Sequence, residues 1–243
     1  MAIGLGAMFG FSLPENFNYP YFSSSIRDFW QRWHITLSNW LRDYLFFPLS
    51  RYLLKRYGNR HNTVILFVSH ITTMLVCGLW HGLNSGFIIW GIWHGVGLFA
   101  YSQLPAFRRR VNLPNLPRLL SISLTFSFVM LGWVFFRAET LTQALGYLST
   151  MFSLRASDPA FSLALVLDHE KTFAVILGVI FSVPVVALLK ERVNGSAEKH
   201  PIWRAVVEDV LIISRPCVYG GLFALSLMAL ISGTYVPFIY FRF

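Results

Sequence analysis

The chain has 243 residues, of which 55% are hydrophobic, 17% aromatic and only 13% charged, whereas a soluble domain carries roughly 25% charged residues. The formal net charge is +9, but the bases cluster between apolar segments, which excludes a nucleic-acid-binding face and fits loops that flank membrane spans. Cys77 and Cys217 both sit in apolar stretches, so cysteine supplies neither a disulfide framework nor a metal-binding spacing.

In chain order, MAIGLGAMFGFSL is apolar but reaches Pro14 and Glu15 too soon to cross a bilayer, and it lacks the basic region of a signal peptide. The simplest expectation is that Met1 lies inside a helix of a longer protein. After the proline-bounded loop LPENFNYPY, Ser25 and Asp28 match a capping box, and SIRDFWQRWHITLSNWLRDYLFFP keeps a helical period to Pro48. Trp30, Trp33, Leu37, Trp40, Leu41 and Tyr44 share one arc of that helix, and Asp28, Gln31, Arg32, Asn39, Arg42 and Asp43 share the other. So polar a face predicts a helix over 26–47 that lies at the interface or against other protein. His34 falls on the aromatic side. The pattern leaves two roles open for it: chemistry, or a structural histidine bonded to a backbone carbonyl.

A spanning helix needs about 20 predominantly apolar residues, and five segments qualify: 62–80, 85–104, 119–136, 172–189 and 211–232. The stretch 51–60 carries Arg51, Lys55, Arg56 and Arg60 without an acid, and 105–118 carries Arg108, Arg109, Arg110 and Arg118, again without one. Both are expected on the cytoplasmic side, which puts 137–171 and the C-terminus outside. In that outer segment Thr140 and Gln143 form a second capping-box pattern. Leu141, Leu145, Leu148 and Phe152 follow at helical spacing, so a short amphipathic helix is expected along the membrane surface.

The stretch CGLWHGLNSGFIIWGIWHG, 77–95, repeats Trp-His-Gly in apolar surroundings. An ionisable group at membrane depth is by default a functional hypothesis. In one unbroken helix His81 and His94 would lie about 20 Å apart along the axis, but Gly82, Asn84, Ser85 and Gly86 predict a turn between them, with the second copy on its own returning helix. No Cys, Asp or Glu occurs between 78 and 104, and the spacing differs from that of paired helical zinc histidines, so no metal is expected. His94 is expected to be a packing histidine bonded across to another span, and His70 has similar standing.

Taken together, PENFNYPYFSSSIRDFWQRWHITLSNWLRDYLFFPL, GLWHG with the following WGIWHG, and the terminal PFIYFRF resemble the membrane-bound O-acyltransferase (MBOAT) family. The resemblance is closest to its bacterial alginate-acetylating branch and covers essentially the whole chain. It implies an all-α polytopic membrane protein: an MBOAT-like helical bundle, N-terminally truncated, with about five spans plus interfacial helices. Residues 1–243 would then be a single C-terminal part of that domain, with the aromatic helix at 26–47, a catalytic helical pair at 62–104 and the C-terminal spans at 119–232. By resemblance His81 is the catalytic residue and His34 the second histidine, where a funnel from outside meets a tunnel from inside.

The resemblance further implies a multi-pass protein of the bacterial inner membrane. It would take an acyl group from acetyl-CoA or another acyl donor, used as substrate and not as a bound cofactor. An extracytoplasmic partner with a serine-hydrolase-like fold would take part, and a polysaccharide hydroxyl would be the acceptor. For such chemistry a neutral imidazole is the usual base at pH 7, which points to His81. The oxyanion needs donors, and His34, Asn84 or the Trp80 indole N–H are the candidates. Two other classes stay open: a truncated non-catalytic subunit or scaffold that recruits its partner through 140–153, and a transporter. A transporter would need charges in mid-span, where Arg215 is the main exception.

Overall fold

The computed structural model describes residues 2–112, 114–153, 167–183 and 201–231, which fall in two units, 1–178 and 179–243. The described residues are helical and contain no strand. In order they form α1 (Ala2–Met8), a 3-10 turn (Pro20–Phe22), α2 (Ile26–Arg32), α3 (Ile35–Leu41), a π turn (Arg42–Phe46) and α4 (Phe47–Tyr57). A second 3-10 turn (Asn59–His61) leads to α5 (Asn62–His81), α6 (Ser85–Val111), α7 (Arg118–Arg137), α8 (Leu141–Phe152), α9 (His169–Ser182) and α10 (Pro201–Ile231).

Both capping boxes form. The Ser25 hydroxyl accepts the Asp28 N–H at 3.1 Å, and the Thr140 hydroxyl accepts the Gln143 N–H at 3.2 Å while Gln143 Oε1 takes the Glu139 N–H at 2.9 Å. The helix expected over 26–47 is divided, however. Trp33 is extended and His34 is left-handed, φ 46° and ψ 53°, so α2 stops at Arg32 and α3 starts at Ile35. The helical period runs on through both residues, and no Gly or Pro marks the break. Its cause is distant in sequence: the Asn16 carbonyl accepts the Ile35 N–H at 2.9 Å, and the Arg32 carbonyl accepts the Asn18 N–H at 2.9 Å. At the far end Pro48 does not stop the helix. The Phe47 N–H reaches back to the Arg42 carbonyl in a π turn, a wider loop that accommodates a proline with no N–H for the Tyr44 carbonyl.

The centre of the first unit is the antiparallel pair α5 and α6. Their backbones touch at Gly78 and Gly91, where a Cβ would meet the Phe87 and Met74 carbonyl oxygens. The buried positions of α5 are Ile65, Ser69, Thr73, Met74, Cys77 and Gly78, mostly small, while Val64, Phe67, Val68, Val76 and Leu79 are exposed. A small-residue seam inside and large apolar residues outside is the arrangement of a helix solvated by lipid. In α7 the buried residues, Thr125, Val129 and Gly132, form one narrow strip against α6, and Leu119, Leu124, Phe126 and Met130 are exposed. In water such a surface would be an aggregation liability.

The segment 59–81 and α7 are long and apolar enough to cross a membrane, matching the expected spans 62–80 and 119–136. Among the described residues these are the two helices that meet that test. The expected span 85–104 lies within α6, which does not meet it, and whose 27 residues exceed the 20 of α5 and of α7 and end in Arg108, Arg109 and Arg110. Of the remaining two, 172–189 is described only to residue 183 and 211–232 only to 231, so part of each lies outside the described residues. In the second unit, Pro216–Leu225 is the apolar stretch of α10.

Candidate active site

His81 is the last residue of α5. Gly82 follows with φ 150°, Asn84 caps α6 by accepting the Gly86 N–H at 3.1 Å, and the chain turns back, as the glycine-rich sequence here predicts. The His81 imidazole is half-buried. Its ring stands edge-on to Trp80 at 4.7 Å, to Phe136 of α7 at 5.0 Å and to Trp90 of α6 at 5.4 Å. Three helices therefore hold it, and one side of it stays open.

His34 reaches the same place from the break between α2 and α3. Its ring lies 6.1 Å from Trp80 and 6.1 Å from Phe17, and its Nδ1 lies 3.4 Å from Asn16 Nδ2. The Trp80 indole, itself 54% exposed, thus contacts both imidazoles. Burial holds the His34 pKa below the ordinary imidazole value, partly offset by the residue's own carbonyl, so the ring is neutral at pH 7.

Asn84 is engaged structurally. Its Oδ1 caps α6 and its amide N–H donates to the Glu139 carbonyl at 3.0 Å, which ties the α5–α6 turn to the start of α8. His94 is fully buried, and its Nδ1 accepts the Trp30 indole N–H at 3.2 Å. Its partner therefore lies on α2 and not on a span, and the bond pins the element carrying His34 to the helix that backs His81. His70 bonds its own helix, donating from Nδ1 to the Leu66 carbonyl at 2.7 Å.

Trp30 and Asn16 were not singled out by sequence reasoning. Trp30 sits between His94 and a cavity of about 500 Å³ whose lining includes Arg27, Gln31, Arg42, His70 and Tyr101. Neither His34 nor His81 lines that cavity. Asn16 carried one usable signal, its cap-forming residue type, but the helix it serves starts about twenty residues later.

The family model for membrane-bound O-acyltransferases matches residues 1–144, which include Asn16, Trp30, His34, Trp80, His81 and His94. Over its full length the chain is 36% identical to the probable alginate O-acetylase AlgI of Azotobacter vinelandii, 50% of which is covered. Over 63% of its length it is 43% identical to the peptidoglycan O-acetyltransferase of Helicobacter pylori, covering 28% of that protein. Over 57% it is 33% identical to the teichoic acid D-alanyltransferase of Bacillus subtilis, covering 36% of that protein. The chain spans about half the length, or less, of the curated relatives it matches.

Proposed function

The chain belongs to the membrane-bound O-acyltransferase family, and from that premise we propose that it moves an acyl group, acetyl in the simplest case, from a cytoplasmic donor to a hydroxyl of an extracytoplasmic polysaccharide. The names of the three relatives share acyl transfer and differ in acceptor and acyl group; the class of reaction is what they support. The observation that carries the reading is the convergence of His34 and His81 on Trp80, because these are the histidines of the two quoted motifs and they come from distant parts of the chain.

In this reading His81 takes the proton of the acceptor hydroxyl as its oxygen attacks the acyl carbonyl. With a thioester donor such as acetyl-CoA, the C–O bond forms, the C–S bond breaks, and the imidazolium returns the proton to the departing thiolate. His34 and the Trp80 indole N–H are the donors available to the oxyanion. For Asn84 the same role would compete with its bond to Glu139. The cavity beside Trp30 has Arg27 on its wall, together with Arg42 in an ion pair with Asp43 at 2.7 Å, and we assign it to an anionic donor approaching from the basic side of the membrane. We place the protein in the bacterial inner membrane as a multi-pass bundle of about five spans. Acyl-donor use and a serine-hydrolase-like partner belong to the same proposal.

The test replaces His81 by Ala in a host whose secreted glycan carries the ester. Acetyl ester should disappear while the amount of protein in the membrane is unchanged, and normal ester content would refute the assignment. A second reading, a non-catalytic scaffold, is favoured by α8, whose Leu141, Leu145 and Phe152 are exposed along one apolar face. Ester lost on changing those residues but kept on changing His81 would select it.

A further inference from the structure

Asn16 makes four contacts across the break between α2 and α3. Its main-chain carbonyl accepts the Ile35 N–H at 2.9 Å; its side-chain Oδ1 accepts the Thr36 N–H at 2.9 Å and the Thr36 hydroxyl at 3.0 Å; its Nδ2 faces His34 Nδ1 at 3.4 Å. These contacts determine which way round the amide lies. A backbone N–H only donates, so the atom facing the Thr36 nitrogen is the oxygen and the atom facing His34 is the amide nitrogen. An amide nitrogen in turn only donates. His34 Nδ1 must then offer a lone pair, and the single proton of the neutral ring sits on Nε2.

From this geometry we infer that Asn16 is a positioning residue that holds His34 in the Nε2–H tautomer, as a hydrogen-bond donor to the site and not as its base. The two histidines around Trp80 then divide the work: His81 exchanges the proton and His34 donates to the developing oxyanion. The tautomer stands on the hydrogen bonds alone; the use made of the donor rests on the proposed acyl transfer. The surroundings of the ring are compatible with this. Phe17 faces it from the loop and Trp80 from α5, and His81, on the other side of Trp80, is the titratable group that faces it. Glu15, next in sequence to Asn16, is exposed. Among the described residues no carboxylate or guanidinium is bonded to the ring.

The N16D substitution separates positioning from architecture. Aspartate caps a helix as well as asparagine does, so the oxygen that receives the Thr36 N–H is kept. Only the group facing Nδ1 changes, from a donor to a charged acceptor. The measurement is the nitrogen-15 spectrum of His34 in the full chain, labelled at histidine, in detergent micelles, with the His34 signals identified by their loss in His34→Gln. Wild type should show a protonated Nε2 and a bare Nδ1 at neutral pH. In N16D the single proton of the neutral ring should move to Nδ1, toward the new carboxylate, which leaves Nε2 bare, and the titration midpoint of the ring should rise.

A wild-type ring protonated on Nδ1, or an unchanged N16D spectrum, would overturn the inference, and the wild-type spectrum decides even if the variant does not accumulate. In cells, N16D should lower acetyl ester on the order of 100-fold at unchanged protein level, the effect of losing one oxyanion donor. Wild-type ester in N16D, with the tautomer changed, would refute the donor role of His34. Ester retained in His81→Ala would refute the acyl-transfer reading and leave the tautomer assignment standing.

Discussion

His34 occupies a left-handed backbone setting that costs a residue other than glycine about 1–2 kcal/mol, and its bonds to the loop at Asn16 keep it there. Stability and activity should therefore respond differently to substitution. His34→Asn, a residue that tolerates left-handed geometry, should leave the thermal midpoint close to wild type, whereas β-branched His34→Val should lower it. Both should lose activity, by about 100-fold or more if the ring donates to the oxyanion. Equal midpoints for the two would show that the backbone setting is relaxed.

The pH dependence has a definite sign. Burial lowers the His34 pKa, so the ring is neutral in the folded protein at pH 7 and becomes charged only below the ordinary imidazole value of about 6.5. On charging it loses the Nδ1 lone pair that Asn16 Nδ2 faces. The part of the acid limb of the rate profile that disappears in His34→Asn should lie below about pH 6.5, and a limb above that value would contradict the assignment. Of these residues, His34 and His81 were named from the sequence through the family resemblance, in which the block around His34 is specific whereas a Trp-His-Gly triplet alone is weak. Asn16 was not legible, because its importance comes from a chain crossing and no local pattern records one.

At the scale of elements, the seam between α5 and α6 makes the sharpest prediction. A methyl group at Gly91 would press on the Met74 carbonyl, and backbone yields less readily than side chains. Gly91→Ala should cost about 1–3 kcal/mol, the range for an overpacked core. Gly146→Ala in α8 meets nothing within 4 Å and should stabilise its helix by about 0.5–1 kcal/mol. Thermal unfolding in one detergent gives both numbers, and similar behaviour of the two variants would mean that the seam is not tight.

Elements were legible wherever their signal was local. The caps at Ser25 and Thr140 and the turn at 82–85 each lie within a few residues of the helix end they define. The break at Trp33 and His34 was hidden because helical periodicity continues through it and the bonds that enforce it come from residues 16 and 18. The π turn was hidden for a different reason: Pro48 signals a stop, but one wider turn lets the helix continue to Tyr57.

For the molecule as a whole, orientation is the property on which the direction of transfer depends. If the positive-inside bias holds, Arg109→Cys should be protected from an impermeant thiol reagent in intact cells and Ser153→Cys should react. The reverse pattern would exchange the donor and acceptor sides.

The length of α6 has a consequence of its own. At about 1.5 Å per residue its 27 residues extend about 10 Å further than the 20 of α5 or α7, and the three arginines occupy its final turns, beyond Pro105. In the proposed multi-pass arrangement this end works as a keel. The guanidinium groups cannot be drawn into hydrocarbon, so they fix the draught at which the bundle floats and, through α6, the depth of Trp90 and of the His81 that rests on it. In bilayers of longer-chain lipids the bundle must tilt or the membrane must thin around it. Ester formation in reconstituted vesicles should then pass through an optimum as acyl-chain length is varied, and replacing all three arginines by Gln should flatten it.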